Sequence, residues 1–134
     1  MSHTSHPNLD LIARAYQAFD DRDYSVIPRV FDPEIEINQA AELPWGGHHH
    51  GHRGAVEFFT TLLAHIDSKV TCEHLFAVGD AVVQSGRTSG TTRTAGTAFD
   101  VPEVHVWSLR EGRVVGFDAY IDTPAMPATL GAGR

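Results

Sequence analysis

The stretch from Glu103 to Asp122, EVHVWSLREGRVVGFDAYID, constrains the fold more than any other. Two runs rich in Val, Trp, Phe, Tyr and Ile flank Arg110-Glu111-Gly112, the pattern of antiparallel strands joined by a tight turn. That turn sets the register on both sides. A three-residue loop with Gly112 left-handed, a type I turn closing in a bulge, sets Leu109 opposite Arg113 and His105 opposite Phe117. One face then carries His105, Trp107, Leu109, Val115, Phe117, Ala119 and Ile121. Only the histidine is ionisable, so this is the face for the core. A two-residue loop instead sets His105 opposite Asp118, because a one-residue slip turns every side chain over and buries two carboxylates. The first register is preferred, since it buries Phe117 and Ile121 and leaves Asp118 and Asp122 to water or a partner subunit.

Ahead of the hairpin, the pattern alternates between helical and strand periods. Leu9, Ile12, Ala13, Tyr16 and Phe19 fall at helical spacing between Asn8 and Arg22, with Pro7 near the first turn. Ser25 is placed to cap a short second helix with Pro28 in its first turn and Val26, Ile27, Val30 and Phe31 inward, stopped by Asp32-Pro33. Glu34 to Asn38 alternates as a short half-buried strand. Gln39 to Arg53 reads as a long connection holding Trp45 and the run His48-His49-His50-Gly51-His52. From Gly54 to Ile66, apolar residues at 55, 58, 59, 62, 63 and 66 make a third helix. Strands at Lys69–Val78, Ala81–Arg93 and Thr97–Leu109 follow, with turns at Gly79-Asp80 and Ala95-Gly96. Gly86 and Gly90 inside a strand indicate bends or bulges. The expected class is α+β: a strongly curved antiparallel sheet packed on three N-terminal helices, enclosing a conical cavity.

The 134 residues suffice for one domain at 8–123, between a disordered segment at 1–7 and a flexible tail at 124–134. Lys and Arg total 10 against 17 Asp and Glu, and a net charge of -7 argues against nucleic acid or an anionic membrane as partner. No run approaches the eighteen or so apolar residues that span a bilayer. Cys72, the single cysteine, allows no intrachain disulfide and reads as a small buried hydrophobe in a reducing compartment. The expected location is the cytoplasm.

Several side chains carry candidate chemistry. His105 can move protons at neutral pH, or it can be a core imidazole satisfied by backbone or by Tyr16. Tyr16 points inward, so its hydroxyl needs a buried partner or a ligand. Trp45 either lids the cavity or packs over the third helix. The apolar stripe of Phe58, Phe59, Leu62 and Ile66 reads as core. The histidine run supplies imidazoles for a divalent ion, but no Cys or carboxylate pattern completes a four-ligand site, and no metal is expected. No Walker or dinucleotide motif occurs.

The order of elements, together with Leu43-Pro44-Trp45-Gly46-Gly47, Gly51 and Gly54 before Val56-Glu57-Phe58-Phe59, His105-Val106-Trp107, Gly112-Arg113-Val114-Val115 and Tyr120-Ile121-Asp122-Thr123, resembles the SnoaL-like branch of the nuclear transport factor 2 superfamily over about residues 8 to 123. The resemblance implies a cone-shaped, cystatin-like α+β fold, a homodimer through the outer sheet face, and a cavity for a small apolar organic molecule. It also implies cofactor-independent proton-transfer chemistry such as isomerisation, cyclisation or dehydration, or else a non-catalytic binding module, since one scaffold carries many activities. By resemblance to ketosteroid isomerases, the base falls at Ile37 or Asn38, the oxyanion-binding tyrosine at Ala15 or Tyr16, and a protonated Asp at His105. By resemblance to polyketide cyclases, a last-strand Asp falls near Ala119. Ile37, Asn38 and Ala119 cannot take a proton, so His105 and Tyr16 are the expected catalytic pair. Asn38, Trp45, Phe59, Trp107, Phe117, Asp118, Ile121 and Asp122 are expected around the ligand.

Overall fold

The helices form where the apolar spacing places them. In the computed structural model, which describes residues 7–121, α1 spans Pro7–Asp20 and buries Ile12 and Ala15. It ends in a left-handed Arg22 at φ 59, with the Asp23 amide donating back to the Ala18 carbonyl, a Schellman-type stop made without glycine. A short α2, Val26–Val30, follows. Ser25 precedes it but does not cap it: its hydroxyl bonds Asp23 Oδ1 at 2.7 Å instead.

Among the described residues the sheet has six strands: β1 (Phe31–Gln39), β2 (Gly47–His50), β3 (Ile66–Val78), β4 (Ala81–Thr92), β5 (Ala98–Arg110) and β6 (Arg113–Ile121), in the order β2-β1-β6-β5-β4-β3. β3 to β6 form the expected antiparallel meander, and β1 lies parallel to β6. The long connection is shorter than its composition indicates. Three of the four histidines of the run, His48 to His50, lie in β2 on the edge of β1, and helix α3 (Gly51–His65) starts at Gly51, three residues ahead of the predicted Gly54. Helix α3 packs on β1, β2 and β3, and α1 on β3 and β4, so the helices cover one face of an open sheet.

The two strand glycines are there for close approach. A Cβ on Gly86 would collide with the Thr71 carbonyl, and Gly90, at φ 155, sits equally tightly against Asp67. Opposite Gly86, β3 carries a bulge between Cys72 and His74. Cys72 is therefore exposed on an edge strand, contrary to the buried position expected of it.

The final hairpin takes neither predicted register. Glu111 and Gly112, at φ 52 and 75, form a two-residue turn of the mirror-image type, so Arg110 pairs Arg113 and Leu109 pairs Val114. A bulge at Val115 then slips the register by one, pairing Ser108 with Gly116, Trp107 with Phe117 and His105 with Ala119. The short turn alone would bury Asp118; the bulge reverses this and returns Phe117 and Ala119 to the inner face. Val114 replaces Val115 there, at 0% exposure. Glu111 holds a left-handed conformation that costs a residue with a Cβ about 1 kcal/mol. Glu111→Asn is therefore expected to stabilise the chain by about 0.5–1 kcal/mol, read as a higher urea midpoint at unchanged slope.

Among the described residues, twenty apolar side chains between sheet and helices make the core, with Trp45, Trp107, Phe31 and Phe58 the largest of those fully enclosed. Among the described residues no helix is long and apolar enough to cross a membrane. The segments 1–6 and 122–134, and with them Asp122 and nearly all of both predicted terminal segments, lie outside the described residues.

Candidate functional site

Because helices cover one face of a bent sheet, the inner side chains do not meet everywhere, and a cavity of about 120 Å³ remains between them. An engineered apolar cavity of about 150 Å³ accepts benzene, so a space of this size suits a single ring. Its wall is largely aromatic. Phe19 stacks on Phe59 with centroids 4.7 Å apart, Phe58 meets Phe59 edge-on at 5.0 Å, and Trp107 leans on Phe117 at 4.2 Å. Leu62, Leu63, Ile66, Ala119 and Ile121 fill the gaps, and Asp20, Arg22, Tyr24, Ser68 and Lys69 form the polar rim.

One polar cluster interrupts this wall. Tyr16 Oη, on the inner side of α1, lies 2.7 Å from Nδ1 of His105 on β5, with the rings stacked at 5.9 Å. The same oxygen accepts a hydrogen bond from Trp107 Nε1 at 2.8 Å and a longer one from Gln84 Nε2 at 3.4 Å. Both Tyr16 and His105 line the cavity. Burial pushes the Tyr16 phenol well above its ordinary range, so it stays protonated, and burial pushes His105 down to about 3, so its ring is neutral at any ordinary pH.

Two residues behind this pair carry chemistry that the sequence reading does not single out. Glu103, two positions before His105 on the same face of β5, has a fully enclosed side chain, with Oε2 3.9 Å from His105 Nε2. Gln84, paired across the strands with His105 and fully buried, donates from Nε2 to both Glu103 oxygens at 2.8 Å and stands 3.3 Å from His105 Nδ1. Its own Oε1 has no partner among the described residues. Burial pushes Glu103 up to about 7, with nearby Glu73 adding to the effect and the Gln84 bond opposing it. The signal was available: Glu103 shares the two-residue period of His105, Trp107 and Leu109, and Gln84 that of Val82, Gly86 and Thr88.

The raised Glu103 value has a consequence for stability. The folded chain holds this proton more tightly than the unfolded one, so the contribution to folding is full below the ordinary carboxyl range and is lost as pH rises through about 7. His105 drifts the opposite way, losing its contribution as pH falls toward about 3, but equally in both proteins under comparison. Glu103→Gln is expected to gain about 2 kcal/mol over the native chain between about pH 5 and pH 8, measured as the difference in urea unfolding free energy.

Five of the eight residues expected around a ligand border the cavity. Trp45, Phe59, Trp107, Phe117 and Ile121 all line the cavity. Trp45 is not a lid: at 1% exposure it is part of the wall, fixed by its Nε1 donating to Gln39 Oε1 at 2.9 Å. Asn38 and Asp118 do not reach the cavity. They are cross-strand partners on the outer face, joined at 3.0 Å, and line a second depression that borders the first at Gln39, Ala119 and Ile121. Strand alternation sends Gln39, not Asn38, inward.

The histidine run is spent on the protein. His48 Nε2 lies 2.6 Å from Glu36 and its Nδ1 2.7 Å from Asn38 Oδ1; His50 meets Glu34 at 2.9 Å; His49 faces the Trp45 and Gly46 carbonyls; His52 faces the Phe31 carbonyl at 2.7 Å. Strand alternation spreads them over opposite faces, and among the described residues no three His, Cys, Asp or Glu side chains gather as a metal site would need.

This arrangement of open sheet and helices is shared with known proteins. Residues 12–117 match the SnoaL-like domain model, and the chain belongs to that family. It superposes on a nuclear transport factor 2-like protein of unknown function from Burkholderia pseudomallei with a TM-score of 0.89 at 25% identity, covering 96% of this chain and 100% of that one. TerC, co-crystallised with polyporic acid, gives 0.86 at 26% identity over 95% of this chain and 100% of its own. A candidate SnoaL-like polyketide cyclase from Jannaschia sp. CCS1 shares the fold at 0.85, with 19% identity over 100% of this chain and 98% of its own. No protein in the curated set matches significantly.

Proposed function

We propose that the cavity binds a small, mostly apolar cyclic molecule carrying an oxygen atom, and that the chain is an isomerase, cyclase or dehydratase working by proton transfer without a cofactor. The observation that carries this reading is the Tyr16–His105 pair, 2.7 Å apart, in the wall of an otherwise apolar, aromatic cavity. A hydroxyl held in a dry site is worth most where negative charge develops on a ligand oxygen, as on a carbonyl turning into an enolate. TerC, 26% identical and co-crystallised with polyporic acid, supports a small-molecule ligand.

A second reading, a non-catalytic ligand-binding module, has a specific observation in its favour. Ile37 and Ala119 stand buried where relatives would carry a catalytic carboxylate, and a neutral His105 is a weak base. The chain is further proposed to be cytoplasmic and to pair as a homodimer through the outer sheet face. There Phe76, Val104 and Tyr120 are 47%, 37% and 61% exposed, and light scattering of the eluted protein tests this.

Trp45 and Trp107 are the only two tryptophans and both line the cavity, so intrinsic fluorescence reports its occupancy. Cyclic ketones, enones and phenols of one ring are expected to quench it saturably, and decalin-sized compounds to do so less. Catalysis is read on the same panel by proton exchange α to the carbonyl. Saturable quenching without exchange favours the binding module, and absence of quenching by any of these compounds contradicts the ligand class.

A further inference from the structure

Tyr16 is not the only buried hydroxyl in the cavity wall, and the second one has no partner of its own. Thr88, on β4, is 7% exposed and lines the cavity. It shares the inner face with Val82 and Gln84 at two-residue spacing, and its backbone pairs with Val70 on β3 and Val101 on β5. Among the described residues its side-chain oxygen makes no hydrogen bond. Nor is that oxygen sealed in, because Gln84 Oε1 is the single enclosed side-chain oxygen or nitrogen left without a partner among the described residues. An unpartnered Thr88 Oγ1 is therefore open, and for a side chain on the inner face the open side is the cavity. A hydroxyl so placed calls for a partner from outside the chain: water in the free protein, a polar atom of the ligand in the complex.

The two hydroxyls mark opposite ends of the space. Tyr16 Oη lies 3.4 Å from Gln84 Nε2, and Thr88 stands four residues further along the same strand, about 13 Å at the rise of an extended chain. The Thr88 end is the one toward the rim. Val70, its cross-strand partner, adjoins Lys69 and Ser68, and Arg22, just past α1, donates to the Ser68 carbonyl at 2.8 Å. Ser68 also lines the cavity, and its hydroxyl likewise has no partner among the described residues. Between the two ends the wall is apolar, with Phe19, Phe59, Leu62, Val70 and Ile121. Charge at the rim is balanced: Arg22 meets Asp67 at 3.1 Å, and Lys69 shares the rim with Asp20.

We propose that Thr88 is a second ligand-binding residue and that the ligand is elongated: a ring whose oxygen meets Tyr16, extended toward the rim by a substituent ending in an uncharged hydroxyl or carbonyl held by Thr88 Oγ1. This rests on the reading that the ring oxygen sits against Tyr16. A threonine hydroxyl serves either group, since it donates to a carbonyl and accepts from a hydroxyl. Its contribution is orientation. One anchored oxygen leaves a ring free to turn about it, whereas anchors at both ends fix which ring carbon faces His105.

The test uses cyclohexanones that carry, on the ring carbon opposite the carbonyl, straight chains of increasing length ending in hydroxyl. Each is titrated by tryptophan fluorescence against the same compound ending in methyl. In the native protein the ratio of the two dissociation constants is expected to favour hydroxyl most at one chain length. Thr88→Val keeps the side-chain shape and removes the oxygen, so it is expected to shift that ratio about tenfold toward methyl, while Thr88→Ser keeps it near the native value. Taking the ratio within each protein cancels whatever the substitution does to folding or to the apolar contacts. An unchanged ratio in Thr88→Val at every chain length overturns the proposal, as does a carboxylate-ended chain that binds more tightly than the hydroxyl-ended one. If neither series quenches the native protein, the cavity reading falls and this proposal with it; if both quench and Thr88→Val leaves the ratio alone, this proposal falls by itself.

Discussion

Trp107→Ala is expected to remove about 3–5 kcal/mol of folding stability, a large part of the roughly 5–15 kcal/mol a domain of this kind possesses. The indole is 1% exposed and touches three aromatic neighbours, with Phe117 at 4.2 Å, Tyr16 at 5.6 Å and Phe31 at 6.2 Å between centroids. Those neighbours belong to β6, α1 and β1, so deleting the ring opens a hole where sheet and helix meet. It borders the existing cavity, which would enlarge. The variant should therefore accept larger ring compounds while melting earlier. Trp107→Phe separates the two contributions, because it keeps most of the volume but takes from Tyr16 Oη the donor that sits 2.8 Å away. Its cost should be nearer 1 kcal/mol. Equilibrium urea unfolding of both variants checks the ordering.

Tyr16→Phe is expected to lower turnover of any carbonyl substrate by about 10²–10³-fold, the loss typical of one oxyanion donor, with little change in apolar affinity. The ring is retained, so its stacking against His105 and its edge contact with Trp107 survive. What disappears is the oxygen on which His105, Trp107 and Gln84 converge. Trp107 Nε1 loses its acceptor and His105 Nδ1 its partner, so stability should fall by about 1–3 kcal/mol even though no cavity of methyl size forms. Hydrocarbon ligands should bind the variant as they bind the native chain, and oxygenated ones about tenfold less tightly, which titration by tryptophan fluorescence distinguishes. Equal loss for both classes would mean that Tyr16 shapes the cavity without contacting the ligand.

Both predictions concern residues visible in the sequence, and the reason is periodicity. His105, Trp107 and Leu109 at two-residue spacing, and Ile12, Tyr16 and Phe19 at helical spacing, identify an inner face before any coordinates exist. What the pattern does not contain is an insertion. The bulge at Val115 adds one residue to β6, and no composition rule distinguishes Val114-Val115 as a place where one valine is skipped. Beyond the bulge, the inner residues Phe117, Ala119 and Ile121 came out as expected because two departures cancelled: a turn one residue shorter than expected and a bulge one residue long. Strand β2 was hidden for a different reason. Gly-His-His-His has little strand propensity, and it pairs because β1 presents Glu34, Glu36 and Asn38 to the imidazoles.

Glu103 and Gln84 escaped notice because polar residues in strands are ordinarily outward. Their burial is evident only when β4 and β5 are placed side by side and the two side chains meet at 2.8 Å. Asn38 illustrates the converse. Resemblance to ketosteroid isomerases makes it one of two expected positions for a base, with Ile37, but the parallel pairing of β1 with β6 sets Asn38 beside Asp118 on the outer face, and the residue that enters the cavity is Gln39.

The central claim is that the cavity holds a ring compound with its oxygen against Tyr16. The most direct measurement is a crystal structure of the protein grown with cyclohexanone or a one-ring enone. The account predicts density within the aromatic wall between Phe59, Phe117 and Trp45, with the carbonyl oxygen about 2.7 Å from Tyr16 Oη. Density lodged instead in the outer depression beside Asn38 and Asp118, or a cavity closed by movement of Phe58 and Phe59, would contradict it.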